Sequence, residues 1–190
     1  MIDGKNIRLR SLTKKDLAKT FKWHNDLELK NLTLSHPFPV TDSQEEEWIN
    51  SIIKDKSNKT IYFGIEDKSR KILIGIIFLS RINFIHQTSW LGVFIGDKNA
   101  RGKGYGKEAV RLGIDIGFQD LKLHRLEAGI EPKNKRSIAL AKSIGLKREG
   151  FSKNRLFLRG QWLDMVLYVA RSEDFGIEWK SQKQKKMVRF

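Results

Sequence analysis

Between Leu91 and Lys107 the chain passes from an apolar strand-like run, Leu91-Gly92-Val93-Phe94-Ile95, through Arg101-Gly102-Lys103-Gly104-Tyr105-Gly106 into a segment of helical spacing. A strand that leads into a helix N-terminus aims unpaired backbone N–H groups and the positive end of the helix dipole at whatever lies in front, which favours a phosphate. Glycine at 102, 104 and 106 lets the backbone approach such a group with no Cβ in the way. The loop therefore reads as an anion cradle in an α/β protein, although the same glycines also suit an ordinary tight turn. The spacing is GxGxG, not the dinucleotide GxGxxG. The P-loop pattern fails as well, because its first glycine would fall on Arg101 and Glu108 stands where Ser or Thr should bind magnesium. Nucleotide hydrolysis is disfavoured.

Past the loop, Gly106, Val110, Gly113 and Gly117 recur at helical spacing. Each mid-helix glycine costs about 1 kcal/mol relative to alanine, a loss that close approach of the helix to a sheet would offset. Elsewhere the pattern predicts a first strand at Ile7–Ser11, a helix near 13–26 with Thr13 and Asp16 as capping partners, and a loop at Ser35–Pro39. A helix after Thr41 or Ser43 carries the acidic stretch Glu45-Glu46-Glu47 in its first turns and buries Trp48, Ile49, Ile52 and Ile53. Strands follow near 60–66, 71–82 and 87–96, then the glycine-loop helix to about Asp120 and a fifth strand at Arg125–Ile130. A helix from Lys135 to Ile144 ends at Gly145, and a hairpin, 147–158 and 162–170, turns at Arg159-Gly160. The order predicts about seven strands in a mixed, mostly antiparallel sheet with about four helices on its faces.

The 190 residues suit one domain, taken as residues 1–171, with a basic extension over 172–190. There is no cysteine, so a disulfide framework, a thiolate zinc site and a cysteine acyl-enzyme are all excluded. The N-terminus lacks the apolar core of a signal peptide and no apolar run approaches the ~20 residues that span a bilayer, so a soluble, cytoplasmic protein without a membrane partner is expected. The net charge of +15 draws polyanions without choosing among a phosphorylated cofactor, nucleic acid and an anionic surface. Part of it sits in the tail, at Lys180, Lys183, Lys185, Lys186 and Arg189, which reads as a solvated extension.

Several ordered motifs narrow the choice. Arg101-Gly102-Lys103-Gly104-Tyr105-Gly106 resembles the Arg/Gln-x-x-Gly-x-Gly/Ala signature of the GCN5-related N-acetyltransferase superfamily, and it stands after the fourth strand as that signature does. The flanking sequence is similar to the ribosomal-protein N-terminal and spermidine acetyltransferase branch. The matching segments are Ile7-Arg8-Leu9-Arg10, Gly104-Tyr105-Gly106-Lys107-Glu108-Ala109, Arg125-Leu126-Glu127-Ala128, Asn134-x-x-Ser137-Ile138, Lys142-x-x-Gly145-Leu146-x-x-Glu149-Gly150 and Gly160-Gln161-Trp162-x-Asp164. The match covers roughly residues 5–171.

The resemblance implies an acetyl-CoA-dependent transfer to an amine, with no metal. It implies a sheet splayed between the fourth and fifth strands by a bulge that falls at Phe94 and Ile95, where the pantetheine arm would pair. The N–H groups of Gly102 to Gly106 would hold the pyrophosphate. Asn134 matches an asparagine near the pantetheine or acceptor, and it also suits a helix N-cap.

Acetyl transfer needs a neutral amine, yet an alkylammonium has a pKa near ~10 and an N-terminal amine near ~8, so a base or a proton-accepting water must be reachable. In many relatives a helix tyrosine returns a proton to the CoA thiolate, but alignment puts Ala141 there. Ser137 is the substitute that the resemblance offers, and it also suits the first turn of the helix. Base candidates are Glu131, Glu127 and His124. The acceptor region falls on Trp23, His24, Asn25, Asp26, His36 and Phe38, with Phe157, Trp162 and Asp164 from the last hairpin. The acceptor classes are a protein N-terminus, as on a ribosome-associated protein, a polyamine and an amino sugar, and a homodimer stays open. A basic nucleic-acid-binding protein and a non-catalytic acyl-CoA sensor are the alternatives.

Overall fold

A computed structural model describes residues 1–177 of the chain. Eight strands form one sheet, in the order β1-β2-β3-β4-β5-β6-β8-β7. They are β1 (Ile2–Asp3), β2 (Ile7–Arg10), β3 (Ile61–Asp67), β4 (Ile72–Asn83), β5 (Thr88–Ile95), β6 (Arg125–Ile130), β7 (Lys147–Leu158) and β8 (Gln161–Arg171). The helices are α1 (Leu17–His24), α2 (Leu27–Thr33), α3 (Asp42–Lys54), α4 (Tyr105–Asp115) and α5 (Lys135–Ser143).

Two elements differ from the sequence-based expectation. Ile2–Asp3 adds an edge strand through Ile2↔Leu9, so the fourth and fifth strands of the sequence reading are β5 and β6. The single helix expected near 13–26 is a 3-10 turn at Lys14–Asp16 followed by α1, and a separate α2 begins at Leu27. Asp26 adopts an extended conformation and its carboxylate accepts from the Leu29 N–H at 3.1 Å, so it stops one helix and caps the next.

The two faces of the sheet carry separate cores. On one, α4 and α5 cover Ile77, Leu79, Leu91 and Leu126. On the other, α1 to α3 cover Ile76 and Leu73, with Leu12, Trp23 and Leu29 between. The helical glycines earn their places by contact: a Cβ on Gly113 would stand 2.6 Å from Ile77 Cδ1, and one on Gly117 would stand 2.8 Å from Leu126 Cδ1. Close seating of α4 therefore offsets the helix-propensity loss. The chain from Ser172 to Ile177 also packs on this core, with the Phe175 ring 5.8 Å from that of Phe118. The basic run from Lys180 to Arg189 lies outside the described residues.

All strand pairs are antiparallel except β5 with β6. That parallel pair holds only over Thr88↔Arg125, Ser89↔Leu126 and Trp90↔Glu127. Beyond it, β5 stays with β4 up to Gly75↔Ile95, while β6 stays with β8 up to Ile130↔Val166. Each strand follows its own antiparallel partner, and the sheet opens between them.

The opening is where the family resemblance implies it, but its local cause is not. Phe94 and Ile95 pair in regular register with Ile76 and Gly75, so no bulge falls on them. The register shift in this strand pair lies between Ser80 and Asn83 of β4, where Arg81 has φ 51°.

Candidate active site

A cleft of about 1000 Å³ occupies the opening between β5 and β6. Val93, Val110, Ala128, Ala141 and Ile144 line it on the α4–α5 face, and Trp23, His24, Trp48, Tyr62 and Phe94 line it on the α1–α3 face. Side chains that alternate to opposite faces border one cavity only where the strands are apart, so the cleft passes through the sheet. One ligand can enter from each side and the two can meet in the middle.

The glycine loop stands at the N-terminus of α4, beside this passage and outside its lining, with Gly106 facing Leu140 of the cleft wall. Gly102 and Gly104 have φ of 78° and 84°, the left-handed region that a Cβ disfavours, and a Cβ at either position would meet nothing within 4 Å. Backbone conformation, not crowding, demands glycine there, and the space in front is open. The first helical bond is Glu108 N–H to the Gly104 carbonyl at 3.1 Å. Among the described residues no acceptor meets the N–H groups of Gly102 to Gly106. Gly106 is different, because its Cβ would lie 3.9 Å from both Ile95 and Leu140, an ordinary contact.

The loop's side chains anchor it. Arg101 donates from Nε to the Ile95 carbonyl at 3.0 Å and from Nη1 to Glu28 of α2 at 2.9 Å, and its buried Nη2 has no acceptor among the described residues. The Tyr105 hydroxyl donates to Asp67 at 3.1 Å, and this carboxylate pushes the phenol pKa up. Asp67 also accepts from Ser69 and Arg70. The Ser69 hydroxyl leads the interactions that hold its carboxyl well below the usual range, and burial opposes them. Lys103 is exposed at the loop tip. Open N–H groups, a vacant approach and an unmet guanidinium nitrogen fit a phosphate-bearing ligand.

Glu131, Asn134, Ser137 and Ala141 border the cleft from the β6–α5 side. Asn134 caps α5 by accepting from the Ser137 N–H at 3.0 Å, and its amide reaches the Leu32 carbonyl of α2 at 3.4 Å, tying the two sides together. The Ser137 hydroxyl and the Glu131 carboxylate have no bonding partner among the described residues. Glu127 and His124 lie elsewhere. Glu127 is 2.5 Å from Arg125, which also binds Glu149, and His124 is 3.2 Å from the Ser172 hydroxyl.

Of the acceptor candidates, Trp23, His24, His36 and Phe38 border the cleft, and Trp23 is buried there with its ring against Gly96. Asn25, Asp26 and Trp162 are not brought to it. The Asn25 amide bonds to both backbone groups of Val40, Asp26 caps α2 and pairs with Lys98, and Trp162 packs on Phe157 on the exposed hairpin. Tyr62, Phe78 and Glu45 also line the cleft, and sequence reasoning does not single them out as site residues. Glu45, read from the sequence only as part of the acidic stretch that suits a helix N-terminus, is 1% exposed and places Oε2 2.6 Å from His24 Nδ1.

The same architecture recurs in known proteins. The spermidine N-acetyltransferase of Vibrio cholerae, solved with CoA and spermine, superposes with a TM-score of 0.82 at 24% identity, over 90% of this chain and 99% of that one. In sequence, the chain is 30% identical to the probable N-acetyltransferase YjcK of Bacillus subtilis over 180 residues, 92% of this chain and 99% of the relative. It is 33% identical to the ribosomal protein uS5 alanine N-acetyltransferase of Escherichia coli over 142 residues, 74% and 72% of the two chains. The model of the acetyltransferase (GNAT) domain matches residues 6–147, a span that holds the glycine loop, both parted strands and α5. On fold, loop and sequence together, the chain belongs to the GNAT acetyltransferase family.

Proposed function

We propose that the cleft seats acetyl-CoA from the α4–α5 face and an aliphatic amine from the α1–α3 face, and that the enzyme joins them by direct attack of the amine on the thioester. The observation that carries this reading is the single cavity with walls on both faces of the sheet where β5 and β6 part. The N–H groups of Gly102 to Gly106 hold the pyrophosphate, helped by the α4 dipole and the free Nη2 of Arg101. Val93 borders the pantetheine path on the cofactor face and Phe94 faces the acceptor side, while Ile95 lies outside the cleft lining, against Gly106 of the loop. Acetyl-CoA supplies the activated acyl group.

The chain's own residues then divide the proton work. Ala141 offers no acid, whereas the neighbouring Ser137 hydroxyl has no partner among the described residues and can donate to the departing sulfur. Asn134 holds α5 and α2 in register across the cleft. On the acceptor side, Glu45 and Glu47 outnumber Lys30, whose ammonium is engaged by the Phe38 carbonyl, and Glu131 adds a third carboxylate from the β6–α5 side. With aromatic walls, that balance favours an alkylammonium over an anionic acceptor. Relatives that act on spermidine are consistent with this class.

The test is thiol release from acetyl-CoA against aliphatic polyamines, N-terminal peptides and amino sugars. Turnover with the polyamines, lost in Gly104→Glu, is the expected result. Turnover confined to peptides would move the acceptor to a protein N-terminus. Tight acetyl-CoA binding with no release on any amine would make the protein a sensor. Unchanged acetyl-CoA affinity in folded Gly104→Glu would overturn the assignment of the loop.

A further inference from the structure

His24 ends α1 and Glu45 lies in the first turn of α3, yet the packing of these helices brings Nδ1 and Oε2 to 2.6 Å at the wall of the cleft. The imidazole stands edge-on to Trp48, with centroids 4.6 Å apart, and Trp48 stands edge-on to Tyr62 at 5.8 Å. These contacts hold the ring in place. A carboxylate can only accept, so the proton of this bond resides on Nδ1 and the lone pair is left on Nε2. No described residue bonds Nε2, and the His24 side chain keeps 28% of its surface exposed beside the cleft.

The charge of Glu45 needs a reason. Orienting a neutral imidazole takes one acceptor oxygen, which an amide supplies without charge. Glu45 instead buries a carboxylate whose second oxygen, Oε1, has no donor among the described residues. Such burial is unfavourable unless an opposite charge forms beside it. A histidine that gains a proton during turnover supplies that charge at hydrogen-bond distance.

We propose that His24 is the general base of the acceptor site and that Glu45 is the positioning residue that fixes its tautomer and balances its charge. This rests on the reading of the cleft as the acetyl-transfer site. The acceptor ammonium gives one proton to His24 Nε2, and the freed lone pair forms the C–N bond at the thioester carbon. The C–S bond breaks and the sulfur leaves with the electron pair; the Ser137 hydroxyl protonates it and takes in turn a second proton from the nitrogen, which keeps its third as the amide N–H, giving amide and CoA thiol. His24 returns its proton to water at the mouth.

The other titratable groups on this cleft are Lys30 of α2, His36 of the loop after it, Glu47 of α3, Tyr62 of β3 and Glu131 after β6. Variants at position 24 separate their contributions from that of His24. The experiment measures kcat/KM against pH for the wild type, His24→Gln, Glu45→Gln and His24→Ala with added imidazole, alongside acetyl-CoA affinity. His24→Gln should lower kcat/KM about 100-fold, remove the fall in rate on the acid side and leave acetyl-CoA affinity unchanged. Glu45→Gln should lower it about 10-fold, and imidazole should partly restore His24→Ala.

A folded His24→Gln or His24→Ala enzyme with wild-type rate and pH profile overturns the proposal while leaving acetyl transfer intact. Wild-type enzyme that releases no thiol with any amine overturns both.

Discussion

The ring of Phe78 lies over the α-carbon of Gly92, its cross-strand partner, so closely that a Cβ on Gly92 would stand 2.1 Å from Phe78 Cζ. Phe78 in turn packs on Tyr62 at 5.5 Å, and both rings border the cleft. Gly92→Ala should therefore push the ring into the acceptor side. The expected result is a loss of about 1–3 kcal/mol in urea denaturation, a raised KM for the amine and little change in acetyl-CoA affinity.

Two of the loop glycines should respond differently to alanine. At Gly104, with φ 84° and open space around it, the cost is conformational alone, about 1–2 kcal/mol by thermal denaturation. At Gly106 the new methyl meets atoms at 3.9 Å in an ordinary helical conformation, so stability should stay within about 0.5 kcal/mol. Equal losses at the two positions would contradict this division.

Gly113 and Ile77 form a coupled pair across the α4–sheet contact. Gly113→Ala should destabilise by about 1–3 kcal/mol, because Ile77 Cδ1 stands 2.6 Å from the new Cβ. Ile77→Val removes that methyl. In the Gly113→Ala background it should cost less than the roughly 1 kcal/mol it costs alone, a non-additivity that a double-mutant cycle reads directly.

Acid stability should depend on Asp67. Its carboxyl is held below the usual range, with the Ser69 hydroxyl leading, then Arg70 and Tyr105, so its contribution is fully present above the unfolded carboxyl pKa of about 4 and is lost as pH falls toward the folded value. Asp67→Asn removes that dependence. The stability gap between wild type and variant should be widest at neutral pH and should narrow steadily below about pH 4, measured as urea midpoints. A gap independent of pH would show that Asp67 acts only by shape.

The residues themselves carry the parts of this protein that depend on local rules. A glycine-rich junction announces its helix start and free N–H groups because positive φ and dipole direction are set within a few residues, as at Gly102 and Gly104. Alternation and turn residues likewise locate most strands and helices. The short edge strand at Ile2 and the separate α2 escape the pattern, the first because two residues carry no period and the second because its start depends on one cap, Asp26.

What tertiary structure alone decides is which side chains share a space. The cleft exists because β5 and β6 follow different antiparallel neighbours after Trp90, a choice made across the whole sheet. Asn25, Asp26 and Trp162 look like acceptor groups by type, but local hydrogen bonds and an exposed hairpin take them elsewhere. Glu45 reads only as part of an acidic helix start, and the packing of α3 on α1 buries it against His24. Charge and residue type are properties of a position in the chain, whereas burial and partnership belong to the fold, because they depend on groups that sequence distance does not bring together.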